Sequence, residues 1–194
     1  LFVVIGHFSY FRYSENSSRI RVRALLTEDG MTPDLNVLIV GSGGREHALY
    51  EACIKSPRAK RVLVAPGNGG IPISSRRDVA YDEVDGIVTL AQKEGLNFVI
   101  IGPEVPLALG LVDALEKVGI RAFGPSQKAS QLESSKLYMK RLCDIAKIRT
   151  AEWRVTDSMR LAEIAVRHFG SPVVVKADGL CGGKGVSVEK TMYG

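Results

Sequence analysis

The chain has 194 residues, 45% hydrophobic content and a formal charge of +5, enough to bury one domain core and part of a second. Its basic residues are scattered, and the pairs Arg76-Arg77 and Lys140-Arg141 are too short for a nucleic-acid stripe and read as solvated surface. No apolar run approaches the ~20 residues of a membrane span, and Cys53, Cys143 and Cys181, odd in number and without a C-x-x-C, indicate neither a disulfide framework nor a zinc site.

Residues 1–35 differ in character from the rest and read as a leader, disordered or a gene-model artefact with Met31 as the true start. Arg12, Arg19, Arg21 and Arg23 have the flavour of an organelle transit peptide, which Glu15, Glu28 and Asp29 oppose. From Asn36 onward strands and helices alternate, the rhythm of a doubly wound parallel α/β sheet. Val37-Leu38-Ile39-Val40 predicts a strand buried on both faces. Gly41-Ser42-Gly43-Gly44 breaks it, and a helix follows over 45–55. Strand, glycine turn and helix aim bare N–H groups and a helix N-terminus at an anion. Further strands are expected at 61–65, 97–101 and 120–123, with helices at 83–94 and 106–118; Gly95 and Gly119 close the last two. Ser126 caps one longer helix carrying Leu132, Leu137, Leu142 and Ile145. A second unit then offers a strand at 151–154, a helix with Leu161, Ile164, Ala165 and a structural His168, and strands at 172–176 and 186–188.

Three loops follow the carboxyl ends of the first three strands, where open α/β sheets bind ligands. In them Gly43, Gly44, Arg45, Glu46, Gly67, Asn68, Pro103 and Glu104 are the candidate substrate-binding residues. Arg45 suits a phosphate, Glu46 a capping carboxylate, the Asn68 amide a hydroxyl or phosphate, and Glu104 a ribose hydroxyl or an amine. The dinucleotide pattern G-x-G-x-x-G fails because Glu46 stands at the third glycine, and the second strand lacks a ribose-binding acid. A sugar phosphate therefore fits better than NAD. An NAD-dependent oxidoreductase and a non-catalytic sugar-phosphate-binding module are the alternatives, with tight NADH binding the mark of the former.

The second constellation runs Val173-Val174-Val175-Lys176-Ala177-Asp178-Gly179-Leu180-Cys181-Gly182-Gly183-Lys184-Gly185-Val186. A strand ending in lysine, a glycine-rich loop and a returning strand make a hairpin flap over a polyphosphate. Lys176 reaches an inner phosphate, while Gly182, Gly183, Lys184 and Gly185 cover the outer ones. Gly185 after Lys184 excludes a Walker A loop. Lys136 stands forty residues before Lys176 in Leu132-Glu133-Ser134-Ser135-Lys136.

These blocks, with Val64-Ala65-Pro66-Gly67-Asn68, Gly102-Pro103-Glu104-Val105-Pro106-Leu107 and Phe123-Gly124-Pro125-Ser126, resemble the ordered signatures of the phosphoribosylamine–glycine ligase family over 36–194. Gly69 and Cys181-Gly182 depart from the alanines common there. The resemblance implies a pre-ATP-grasp domain over 36–135 that binds 5-phosphoribosylamine, and the start of an ATP-grasp domain over 136–194. It implies ATP-contacting Lys136 and Lys176, and ligation of glycine through a glycyl phosphate in purine synthesis in the cytoplasm. Magnesium or manganese would be held by residues after position 194, so no metal site is expected here. The 194-residue chain by itself is expected to be inactive, lacking the C-terminal part of its own protein; no nucleic acid or membrane partner is expected.

Overall fold

A computed structural model describes residues 2–5 and 34–190. In chain order the strands are β1 (Phe2–Ile5), β2 (Leu35–Gly41), β3 (Ala59–Pro66), β4 (Phe98–Ile101), β5 (Arg121–Phe123), β6 (Trp153–Thr156), β7 (Val173–Ala177) and β8 (Val186–Glu189). The helices are α1 (Gly44–Cys53), α2 (Val84–Lys93), α3 (Glu104–Ala108), α4 (Leu111–Lys117), α5 (Gln127–Ser134), α6 (Lys136–Ile145) and α7 (Met159–Phe169). The described residues fall into two compact units, 34–130 and 2–5 with 131–190.

In the first unit β2, β3, β4 and β5 form a parallel sheet in the order β3-β2-β4-β5. Alternation along β2 divides its side chains between two cores. Leu38 and Val40 join Leu63, Val99, Ile101 and the helical Ile87, Leu111 and Leu115. Val37 and Ile39 turn to the other face with Val62, Val64 and Tyr50. Both faces are thus covered, which is why the strand is apolar without alternation. The register pairs Gly41 with Pro66 and Val40 with Ile101, so three strands end on one edge. There Gly41 O accepts from Gly67 N at 3.0 Å, and Val40 O accepts from Gly102 N at 3.0 Å.

Two expected helices are each broken. The stretch 106–118 divides into α3 and α4 at Gly110, whose φ of 89° is left-handed and closes one helix while opening the next. The helix after Ser126 divides into α5 and α6 at Ser135, whose backbone is extended and whose hydroxyl caps Tyr138 N at 3.0 Å.

In the second unit the sheet order is β6-β1-β7-β8, with every pairing antiparallel. Phe2–Ile5, assigned to a leader, forms its second strand, with Val3 opposite both Val155 and Lys176. Leu35, also assigned to the leader, opens β2, while residues 6–33, Met31 included, lie outside the described residues. Ala165 and Val173 are buried against Val166, Phe169 and Val175, while Met159, Leu161, Ile164 and Val188 are exposed.

Candidate functional site

At the carboxyl edge of the parallel sheet an open pocket of about 330 Å³ is lined by Ser42, Gly43, Gly44, Arg45, Glu46, Tyr81 and Pro103. The first turn of α1 faces it, where backbone N–H groups have no acceptor within the helix. Glu46 holds this loop in shape. It is buried at 4% exposure, and its Oε2 accepts from Gly43 N at 2.6 Å. A Cβ on Gly41, Gly43 or Gly102 would stand 2.7, 2.9 or 1.9 Å from its side chain, so three glycines make room for one carboxylate. Sequence pattern offers Glu46 as a substrate contact; it lines the pocket, and its buried carboxylate supports the loop.

Arg45 is exposed, donates from Nη1 to Gly102 O and lies 3.9 Å from the Glu46 carboxylate. Most of its guanidinium remains open to solvent. Asn68 is committed differently from the sequence-based expectation: its Nδ2 donates to Ser42 O and Gly43 O, each at 3.1 Å, and its Oδ1 accepts from Gly70 N at 2.9 Å. It ties the 66–70 loop to the glycine turn. Gly67 takes a left-handed φ of 74° over the Arg76 stem. Glu104 opens α3, with Pro103 as its N-cap, and Pro103 alone of the two lines the pocket. Tyr81 was not singled out from the sequence, since it lies in an irregular stretch with no periodicity to mark it.

In the second unit the chain brings together residues forty positions apart. Lys176 lies on β7, and its successors Asp178 and Gly179 meet the start of α6. Lys136 Nζ donates to Gly179 O at 2.5 Å, and Leu137 N donates to Asp178 Oδ1 at 3.2 Å. Gly179, Gly182 and Gly183 have φ of 97°, 55° and 78°, conformations that favour glycine. Lys184 N closes the turn onto Cys181 O at 3.0 Å, its side chain is exposed, and Gly185 O accepts from Ala177 N at 2.8 Å to resume the hairpin.

Of the two basic pairs expected on the solvated surface, Arg141 is exposed, whereas Lys140 is buried and Arg77 is engaged in an ion pair. Lys140 is 3% exposed, and its Nζ donates to Thr150 Oγ1 at 2.6 Å and Ala151 O at 2.9 Å. Burial lowers its pKa from the ordinary 10.5, the Lys176 charge adds to that, and Cys143 and Asp144 oppose it. Arg77 pairs with Glu94 at 2.9 Å, and the same carboxylate bonds Arg61. His168, set at core spacing, is exposed beside Glu152 and Arg154. Among the described residues, no group of three or more His, Cys, Asp or Glu is gathered to hold a metal ion, and no helix is long and apolar enough to cross a membrane.

A parallel-sheet unit with its glycine turns on one edge, followed by a lysine-bearing antiparallel hairpin, defines the ATP-grasp class of fold. The biotin carboxylase domain of Hydrogenobacter thermophilus 2-oxoglutarate carboxylase shares it at a TM-score of 0.64 and 18% identity, over 82% of this chain and 38% of that one. The family model for the phosphoribosylglycinamide synthetase N domain matches residues 35–133, and that for the ATP-grasp (A) domain of the same synthetase matches 134–193. The chain belongs to the phosphoribosylglycinamide synthetase family. It is 47% identical over 161 residues to the phosphoribosylamine–glycine ligase of Xanthomonas campestris pv. campestris, covering 81% of this chain and 37% of the relative. It is 46% identical over 155 residues to that of Allochromatium vinosum, covering 78% and 36%. The crystal structure of the Thermotoga maritima phosphoribosylamine–glycine ligase matches with a TM-score of 0.62 and 28% identity, over 82% of this chain and 37% of that one. The chain therefore spans little more than a third of the length of these relatives.

Proposed function

We propose that the whole protein joins glycine to 5-phosphoribosylamine at the expense of ATP, giving glycinamide ribonucleotide, ADP and phosphate in the cytoplasm. The observation that carries this reading is the unbroken succession of the two synthetase domains along 35–193, each with its own candidate site. On this reading residues 36–135 are the aminosugar-phosphate domain and 136–194 begin the ATP-grasp domain. The sugar phosphate lies at the α1 N-terminus, where the first-turn N–H groups and Arg45 supply donors. Glu46 and Asn68 hold the two glycine loops in register around it. Lys136 and Lys176 bind the ATP phosphates, and Gly182, Gly183, Lys184 and Gly185 fold over them.

A glycine carboxylate oxygen attacks the γ-phosphorus, the bond to the β–γ bridging oxygen breaks, and ADP departs. The amine of phosphoribosylamine then attacks the glycyl phosphate carbonyl and loses a proton, and the C–O bond to phosphate breaks. The chain's contribution to the first step is charge placement and exclusion of water, the main requirements of phosphoryl transfer. Magnesium or manganese would neutralise the phosphates; among the described residues no group of three or more His, Cys, Asp or Glu is gathered to hold it.

The test is ADP release by the full-length protein. Release that needs both glycine and phosphoribosylamine, with glycinamide ribonucleotide found by mass spectrometry, is the expected result. ADP release independent of glycine, or tight NADH binding in calorimetry, overturns the reading.

A further inference from the structure

We propose that Asp178 is a positioning residue, latching the base of the flap onto the N-terminus of α6 and so setting Lys136 and Lys176 for nucleotide phosphates; this rests on the ATP-binding reading of those two lysines. Its carboxylate lies 3.2 Å from Ser135 Oγ through either oxygen, and its Oδ1 accepts from Leu137 N at 3.2 Å. The Ser135 hydroxyl is used on both sides, accepting from Tyr138 N at 3.0 Å and donating to Asp178. A carboxylate at the N-terminus of a ten-residue helix also meets the positive end of its dipole.

The residues on either side of these bonds are the ones that matter. Lys176 precedes Asp178 by two positions on β7, and Lys136 lies between Ser135 and Leu137. Gly179, next after Asp178, has a left-handed φ of 97° and receives the Lys136 ammonium on its carbonyl at 2.5 Å. The latch spends one of the three ammonium donors of Lys136 and leaves two for phosphate oxygens. It also pins one end of the flap, whose glycines otherwise carry a high entropy of ordering. An ordinary helix cap would stabilise α6 without discriminating among substrates. A latch acts on the nucleotide alone.

The experiment uses the full-length protein with Asp178→Ala, Asp178→Asn and Ser135→Ala. Steady-state kinetics should show Asp178→Ala raising KM for ATP about tenfold, the loss of roughly one charge-assisted contact, with KM for glycine and phosphoribosylamine within about twofold of wild type. Asp178→Asn, which keeps an acceptor oxygen for Leu137 N, should recover most of that loss, and Ser135→Ala should fall between. Hydrogen exchange without nucleotide should show faster exchange at 179–185 in Asp178→Ala. Unchanged exchange at 179–185 in both Asp178→Ala and Ser135→Ala overturns the latch, whether or not the protein is a ligase. Equal damage to kcat and all three KM values, or no rescue by Asn, reduces Asp178 to a structural cap and likewise overturns it. Absence of ADP release by wild type refutes the ligase reading, and exchange still decides the latch. If Asp178→Ala does not fold, Asp178→Asn and Ser135→Ala carry both measurements.

Discussion

Gly102→Ala is expected to unseat Glu46 and collapse the glycine loop that lines the pocket. A Cβ on Gly102 would stand 1.9 Å from Glu46 Oε1 and 2.6 Å from its Cδ, well inside contact distance. The backbone cannot yield easily: Gly102 N is bonded to Val40 O at 3.0 Å, and its carbonyl holds Arg45. Retreat of the carboxylate is blocked on the sides of Gly41 and Gly43, where the same side chain already fills the space. Overpacking of this kind costs about 1–3 kcal/mol. Losing the 2.6 Å bond from Gly43 N to a charged acceptor costs about 1.5–3 kcal/mol more. Gly69→Ala is the control, because nothing lies within 4 Å of its Cβ position and its stability should change by less than about 0.5 kcal/mol. Denaturation of the full-length variants followed by circular dichroism measures the difference, and calorimetry with ribose 5-phosphate should show binding weakened in Gly102→Ala. A Gly102→Ala protein with wild-type stability and wild-type ribose phosphate binding would refute the argument that Glu46 is wedged between three glycines.

On the proposed ligase reading, Lys176→Ala in the full-length protein should lower ATP turnover about 10–150-fold, the worth of one charge-assisted contact, and leave ribose phosphate binding unchanged; Lys176→Arg should not restore turnover, since a planar fork replaces a compact ammonium poorly. Lys140 releases its proton more readily when folded than when unfolded, so between its lowered pKa and the ordinary 10.5 the unfolded state holds more protons and stability rises with pH. Denaturation midpoints of Lys140→Met across that alkaline range should lose this rise relative to wild type. Glu94→Gln leaves Arg61 and Arg77 without their shared carboxylate and should cost about 1 kcal/mol, a low figure because the cluster is only half-buried; a salt-insensitive loss in denaturation would argue against an ionic origin.

Where the sequence reading and the structure part, the cause is a contact that periodicity does not encode. The β2 run Val37-Leu38-Ile39-Val40 was legible as a doubly buried strand because two cores demand two apolar faces. The glycine turns were legible because strand ends on a parallel sheet share one edge. Helix spacing across 106–118 does not reveal a left-handed break at Gly110, since leucines on both sides of it keep core spacing. Ser135 breaks the following helix for a reason forty-three residues away, the Asp178 carboxylate that accepts its hydroxyl. Lys140 read as surface because a lysine beside an arginine usually is, yet its ammonium finds Thr150 and Ala151 past the end of its own helix. Asn68 and Glu46 show the same limit within the site. Residue type marks them as polar groups able to meet a ligand; only the fold shows that their polar atoms face the backbone of the loops they hold. A glycine-rich turn gains room for a substrate at the cost of conformational entropy. In this chain Glu46, Asn68 and Asp178 offset that cost, each fixing a flexible loop by bonds to main-chain groups, and the proposed function assigns the phosphates to Arg45, Lys136 and Lys176.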